Sequence, residues 1–112
     1  MNNKQIISSN QELHIAYKIG GEVQPNSGGT KFGGGDILTD NFLIEAKTPV
    51  TPKLSFSIRH EWLMKAQEQA YEQGRIHAVL AFQFQPYGNN YYILNENDFI
   101  DYVNWKEGRY DD

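Results

Sequence analysis

Cysteine is absent from all 112 residues. That excludes a disulfide framework and any thiolate metal centre, and leaves the compartment open. Long apolar runs are missing too. No stretch approaches the roughly 18–20 residues of a transmembrane helix, and the start Met1-Asn2-Asn3-Lys4-Gln5-Ile6-Ile7 lacks the apolar segment of a signal peptide. A cytoplasmic protein without membrane contact is the expectation. No internal repeat or low-complexity block is present. Positive charge is scarce, with 10 Lys and Arg against 14 Asp and Glu and a net charge of −4. Phosphate binding favours the opposite balance. The deficit is uneven, however. Residues 1–60 hold six basic and five acidic residues, net +1, and residues 61–112 hold four basic and nine acidic, net −5. An anionic partner would be met by the first half.

What is present indicates a folded globular chain. Hydrophobic residues make up 39% and aromatics 13%, well above a disordered composition. The length suits one domain, residues 1–112, with a polar tail from about residue 107. A core of this size is modest, and association would help it.

The pattern along the chain predicts alternating helices and strands. Residues 4–19 suggest a helix, or a shorter one from near Gln11 capped by Ser8, Ser9 or Asn10, stopped by Gly20-Gly21. Residues 24–35 are too rich in glycine for regular structure. Strands are expected at about 36–39 and up to Lys47, joined by a turn at Asp40-Asn41. Thr48-Pro49-Val50-Thr51-Pro52-Lys53 ends the second. Leu54-Ser55-Phe56-Ser57-Ile58 leads into a helix at about 59–73 that would bury Trp62, Ala66 and Ala70, with Leu63 and Tyr71 beside them and Gly74 as its cap. Glu61, Lys65, Gln69 and Gln73 read as its solvated face. Ile76–Phe84 is a near-continuous apolar strand of the buried kind. A turn at 86–90, a strand at Tyr91–Leu94 and a helix capped by Asn95 complete the order, with Phe99, Ile100 and Val103 buried. The order α-β-β-β-α-β-β-α suits an α/β sandwich around one mixed sheet.

One segment carries chemistry. In Asp36-Ile-Leu-Thr-Asp-Asn-Phe-Leu-Ile-Glu45-Ala46-Lys47, alternation puts Leu43, Glu45 and Lys47 on one face of a strand and Ile44 and Ala46 on the other. A hairpin would bring Asp36 to the same end. Two carboxylates held together repel unless a cation lies between them. A magnesium ion, which takes one or two carboxylates plus phosphate oxygens, answers that need.

Asp36…Glu45-Ala46-Lys47 resembles the D…(D/E)xK signature of the PD-(D/E)xK nuclease superfamily. The ordered set around it, Glu12, Gly20-Gly21, Ser27-Gly28 and Gly34-Gly35-Asp36, is similar to archaeal and phage-type Holliday junction resolvases over about residues 10 to 103. Glu12 departs from that pattern in being flanked by Gln11 and Leu13 rather than by a basic residue. The resemblance implies a restriction-endonuclease-like three-layer sandwich with a central mixed β-sheet flanked by helices. It further implies an Mg²⁺-dependent endonuclease, with Mn²⁺ as a substitute, that nicks branched DNA such as a four-way junction as a homodimer, in a bacterial or phage-infected cell.

On this reading Asp36 and Glu45 hold the metal, with the carbonyl of Ala46 as a further ligand. Glu12 approaches from the helix directly or through a water, and Lys47 orients the attacking water or stabilises transition-state charge. Bound cations would also offset the acids of the first half. Ser27, Gly28, Lys31, Lys53 and Arg59 are the expected DNA contacts, and Gln67 could reach the site. Other readings stay open. Glu45 and Lys47 also fit an exposed charge pair. Phe82, Phe84, Tyr91 and Tyr92 could stack on bases, or pack in a core or dimer. A duplex or flap endonuclease, or a non-catalytic DNA-binding or assembly protein of the same fold, would share the pattern.

Overall fold

The computed structural model describes residues 2–25 and 36–110. The chain is α/β, in the order α1 (Asn3–Ile19), β1 (Glu22–Val23), β2 (Ile37–Leu38), β3 (Phe42–Lys47), α2 (His60–Glu72), β4 (His77–Phe82), β5 (Tyr91–Ile93) and α3 (Glu96–Lys106). The five strands form one mixed sheet in sequential order. β3 and β4 run parallel, with α2 as their crossover, and the other pairs are antiparallel. A crossover of this kind is what a parallel pair requires.

Alternation along the strands divides the core in two. Ile37, Ile44, Val79 and Ala81 pack under Ile15 and Ala16 of α1, with Ala46 at the margin. Leu38 and Leu43 pack under Ala66 and Ala70 of α2, with Ala78 beside them. Neighbouring residues of each strand fall into opposite clusters, so α1 and α2 cover opposite faces. This arrangement is compatible with a three-layer sandwich. The expected facing of β3, with Leu43 on one side and Ile44 and Ala46 on the other, is what the packing shows.

α1 spans Asn3–Ile19, the longer of the two helices expected there and not the shorter one from near Gln11. Asn2 is its N-cap in a reciprocal box with Gln5, each side chain bonded to the other's backbone N–H at 2.8–3.0 Å. Such a box satisfies two orphan donors at once, so Ser8, Ser9 and Asn10 lie inside the helix rather than capping it. Gly20, at φ +71°, closes the helix as expected. α2 ends on Gln73, and Gly74 with its positive φ follows. Tyr71 is 78% exposed instead of flanking the buried stripe.

α3 is the larger correction. Its N-cap is Asn95, as expected, with the side chain accepting from the N–H of Asp98. Phe99 and Ile100, expected in the core, are half-exposed, and Val103 is only partly buried. The helix is tied to the α1 side of the sheet by Asp98, whose Oδ1 lies 2.7 Å from His77 Nδ1. It does not close over the sheet. An apolar groove of about 520 Å³ remains there, lined by residues including Ile19, Phe42, Ile44, Val79, Tyr92 and Leu94. Among the described residues, no helix is long and apolar enough to cross a membrane.

Candidate active site

One end of the sheet collects the chemistry-bearing residues. β2 starts beside Asp36 at this end, and β3 finishes here with Glu45, Ala46 and Lys47. The hairpin is antiparallel with Ile37 opposite Ile44 and Leu38 opposite Leu43. Asp36 directly precedes the Ile37–Ile44 pair, and Glu45 directly follows it. The register is held by the turn, where the N–H of Phe42 donates to Thr39 Oγ1 and Thr39 N–H donates to the Phe42 carbonyl, both at 3.0 Å. From the other side, Arg75 Nε donates to the Thr39 carbonyl at 2.9 Å.

Asp36 is buried, at 6% exposure. Glu45 and Lys47 form an ion pair, with Oε1 and Nζ at 3.5 Å and both side chains largely covered. The ammonium also lies 4.6 Å from the ring centroid of Trp62 on α2. Lys47 is therefore clamped between a carboxylate and an aromatic face, not waving in solvent as a surface pair would. Trp62 is itself backed by Phe56, whose ring stacks on Phe82 at 5.5 Å.

Glu45 and Lys47 open into a cleft of about 690 Å³, roofed by α2 through Glu61, Trp62, Lys65 and Gln69 among others. The helix face expected to be solvated is exposed at Glu61, Lys65 and Gln73, and Glu61, Lys65 and Gln69 also line this open cleft. Gln67, which could have reached the site but reads in sequence first as a polar helix residue, is exposed elsewhere on α2. Trp62, Lys65 and Gln69 are the residues that sequence reasoning missed. Their signal was present in the spacing of 62, 65 and 69, one side of a helix that directly follows the β3 exit segment.

Glu12 is buried at 5% exposure on the sheet-facing side of α1. Its neighbour Gln11 donates from Nε2 to the carbonyl of Lys47 at 2.8 Å and to Asn90 Oδ1 at 3.0 Å. This turn of α1 therefore sits at the end of β3. But α1 covers the face opposite to Glu45 and Lys47, so Glu12 can meet them only around the strand ends. The structure puts Glu45 and Lys47 on the face covered by α2, sets the buried Asp36 just before β2, and leaves Glu12 in the α1 layer. Among the described residues, no group of three or more His, Cys, Asp or Glu side chains is assembled as a ready metal site.

Of the expected DNA contacts, Ser27, Gly28 and Lys31 lie outside the described residues. Lys53 is exposed, and its backbone N–H donates to the Phe84 carbonyl at 2.8 Å, which pins the segment after β3 to the end of β4. Arg59 is exposed and paired with Glu61 at 2.8 Å.

The donor set of Asp36, Glu45 and the Ala46 carbonyl suits a hard divalent cation. All are oxygens, two are carboxylates, and magnesium commonly leaves its other positions to water and substrate. Comparison of the chain with protein-family models, curated proteins and solved structures gives no match.

Proposed function

We propose that this protein is a metal-dependent DNA endonuclease of the PD-(D/E)xK kind, with a restriction-endonuclease-like fold, acting on branched DNA such as a four-way junction. The observation that carries the reading is the Glu45–Lys47 pair at 3.5 Å on one face of β3, with the buried Asp36 immediately before β2, the strand that pairs with β3. The sequential mixed sheet with helices on both faces supports the fold assignment.

Asp36, Glu45 and the Ala46 carbonyl would hold Mg²⁺ or Mn²⁺, and Glu12 would contribute through an intervening water around the strand end. Such an ion supplies Lewis acidity toward water and phosphate. Lys47 donates to the attacking water or to a non-bridging phosphate oxygen, placing its charge where negative charge grows in the transition state. Water oxygen bonds to phosphorus and gives a proton to solvent, the opposite P–O bond breaks, and the leaving oxygen takes a proton from solvent. Trp62 limits the positions open to the Lys47 ammonium. Lys53 and, outside the described residues, Ser27, Gly28 and Lys31 would bind flanking phosphates.

Symmetric nicking of a junction calls for two active sites, which a small chain supplies by two-fold association. The half-exposed Phe99, Ile100 and Trp105 of α3 support a second copy as the partner. The test is cleavage of a mobile four-way junction, a flap and a matched duplex, with Mg²⁺ or with EDTA, beside Asp36→Asn. Symmetric nicks on the junction, lost in EDTA and in the variant, are expected. Equal cutting of duplex would replace the branch preference with a general or flap endonuclease. No cutting with either Mg²⁺ or Mn²⁺ would leave a non-catalytic DNA-binding or assembly protein.

A further inference from the structure

The sheet end that carries Lys47 also carries a line of aromatic rings. The pairing sets Lys47 beside Phe82 and Phe82 beside Tyr91, across β3, β4 and β5. Directly paired residues share a sheet face, so all three lie on the α2 side. Adjacent strands are about 4.8 Å apart, which gives a row that steps from the ammonium to two rings in succession. Phe84, two residues beyond Phe82, closes the group. Its ring meets Phe82 at 5.4 Å and Tyr91 at 5.6 Å, and Phe82 meets Tyr91 at 5.8 Å.

This row is covered at one end and open at the other. Phe56 and Trp62 shield the Phe82 side. α2 packs chiefly on β3 and β4, and beyond it Tyr91 is 49% exposed and Phe84 36%. The Lys53 segment is pinned to the Phe84 carbonyl, which places a cationic residue on the chain beside the open rings. Aromatic faces in one row with Lys47, with the Lys53 backbone pinned at their open end, have the chemistry that recognises unpaired nucleotides. Bases stack on the rings and the backbone follows the cations.

We propose that Phe84 and Tyr91 form a stacking platform for an unpaired base of single-stranded DNA next to the scissile phosphate. The proposal rests on the nuclease reading for its orientation and adds a substrate class to it: strands with bases already out of the duplex, as at a flap or an opened junction. A paired duplex keeps its bases inside the stack and cannot use the rings.

The test is binding in EDTA, where cleavage plays no part. Fluorescence anisotropy of a labelled oligothymidylate and of a duplex of equal length is measured with the full chain and with Tyr91→Ala, Phe84→Ala and Tyr91→Phe. The native chain should prefer the single strand. Each alanine variant should weaken single-strand binding by about 5- to 100-fold and shift duplex binding by less than about two-fold, while Tyr91→Phe, which keeps the ring, should bind like the native chain. Circular dichroism confirms that the variants fold. Unchanged single-strand binding in both alanine variants overturns the platform, as does equal loss on duplex. A change of oligomeric state in Tyr91→Ala without loss of binding also overturns it, and makes the rings an interface. Ring-dependent binding without metal-dependent cleavage sinks the nuclease reading alone. Cleavage indifferent to the rings sinks the platform alone.

Discussion

The Lys47 ammonium lies 4.6 Å from the centroid of the Trp62 ring, across the boundary between the sheet and α2. Its other neighbour is Glu45 at 3.5 Å on its own strand. A cation over a tryptophan face is worth about 0.5–1 kcal/mol at an exposed site, and more where water is excluded. A double-mutant cycle of Lys47→Met and Trp62→Leu, read by urea unfolding, should therefore show a favourable coupling of about 0.5–1 kcal/mol. Strictly additive losses would mean that the two side chains are merely adjacent.

Magnesium should stabilise the protein through Asp36 and Glu45. Ten millimolar ion at a site with a dissociation constant of about 1 mM adds about 1.4 kcal/mol. In a chain of this size that raises Tm by several degrees. Thermal unfolding with and without Mg²⁺ should show the rise in the native chain and none in Asp36→Asn or Glu45→Gln. An equal rise in all three would place the ion elsewhere.

Gly21 passes close to β2. A Cβ built there would meet Ile37 Cγ2 and the Leu38 carbonyl oxygen, each at 2.9 Å. Backbone oxygen cannot swing aside as a side chain can, so β1 would have to move. Gly21→Ala should cost about 1–3 kcal/mol. Because β2 carries Asp36, the same variant should lose cleavage activity beyond its loss of stability, measured well below its melting temperature.

Gln83 is 2% exposed and joins three segments at the end of β4. Its Oε1 accepts from Thr48 Oγ1 at 2.6 Å, and its Nε2 donates to the Gly88 carbonyl at 2.9 Å. Gln83→Leu keeps the volume and removes both bonds. Stability should fall by about 1–3 kcal/mol, the cost of leaving covered polar groups without partners. A neutral result in denaturant titration would show that water replaces the side chain.

Burial raises the Tyr92 phenol above the ordinary tyrosine value of 10.0. The folded state therefore keeps the proton at a pH where the unfolded chain releases it. The contribution to stability is whole below pH 10, and it declines as pH rises through and past the ordinary value. Alkaline unfolding curves of Tyr92→Phe should be flatter than those of the native chain over that window. Identical slopes would assign the alkaline loss to other groups.

Local pattern was enough for much of this protein. Alternation along Leu43, Ile44, Glu45, Ala46 and Lys47 determined which side chains share a face, because a strand has a period of two whatever packs against it. The apolar run Ile76–Phe84 marked the interior strand, which the structure confines to His77–Phe82, and Asn95 and Gly20 marked helix ends by their own side-chain and backbone chemistry. The Asn2–Gln5 box was also local, but the stretch before Gln11 has weak apolar periodicity and the start was masked by Ser8 and Ser9. Ala66 and Ala70 were legible as a packing stripe, being small residues four apart.

Tertiary structure decided the rest. Phe99 and Ile100 have the spacing of a buried face, yet they stay half-exposed, since periodicity shows that a helix has an apolar side and not that anything covers it. Glu61 and Lys65 look solvated in sequence and are exposed, yet with Gln69 they also line the cleft, because polarity alone does not distinguish a surface from a site. The layer of Glu12, the ring of Trp62 above Lys47 and the row from Lys47 to Tyr91 all join residues far apart along the chain. Their separations are set by how strands pair and which sheet face each helix covers, and no local rule contains that information.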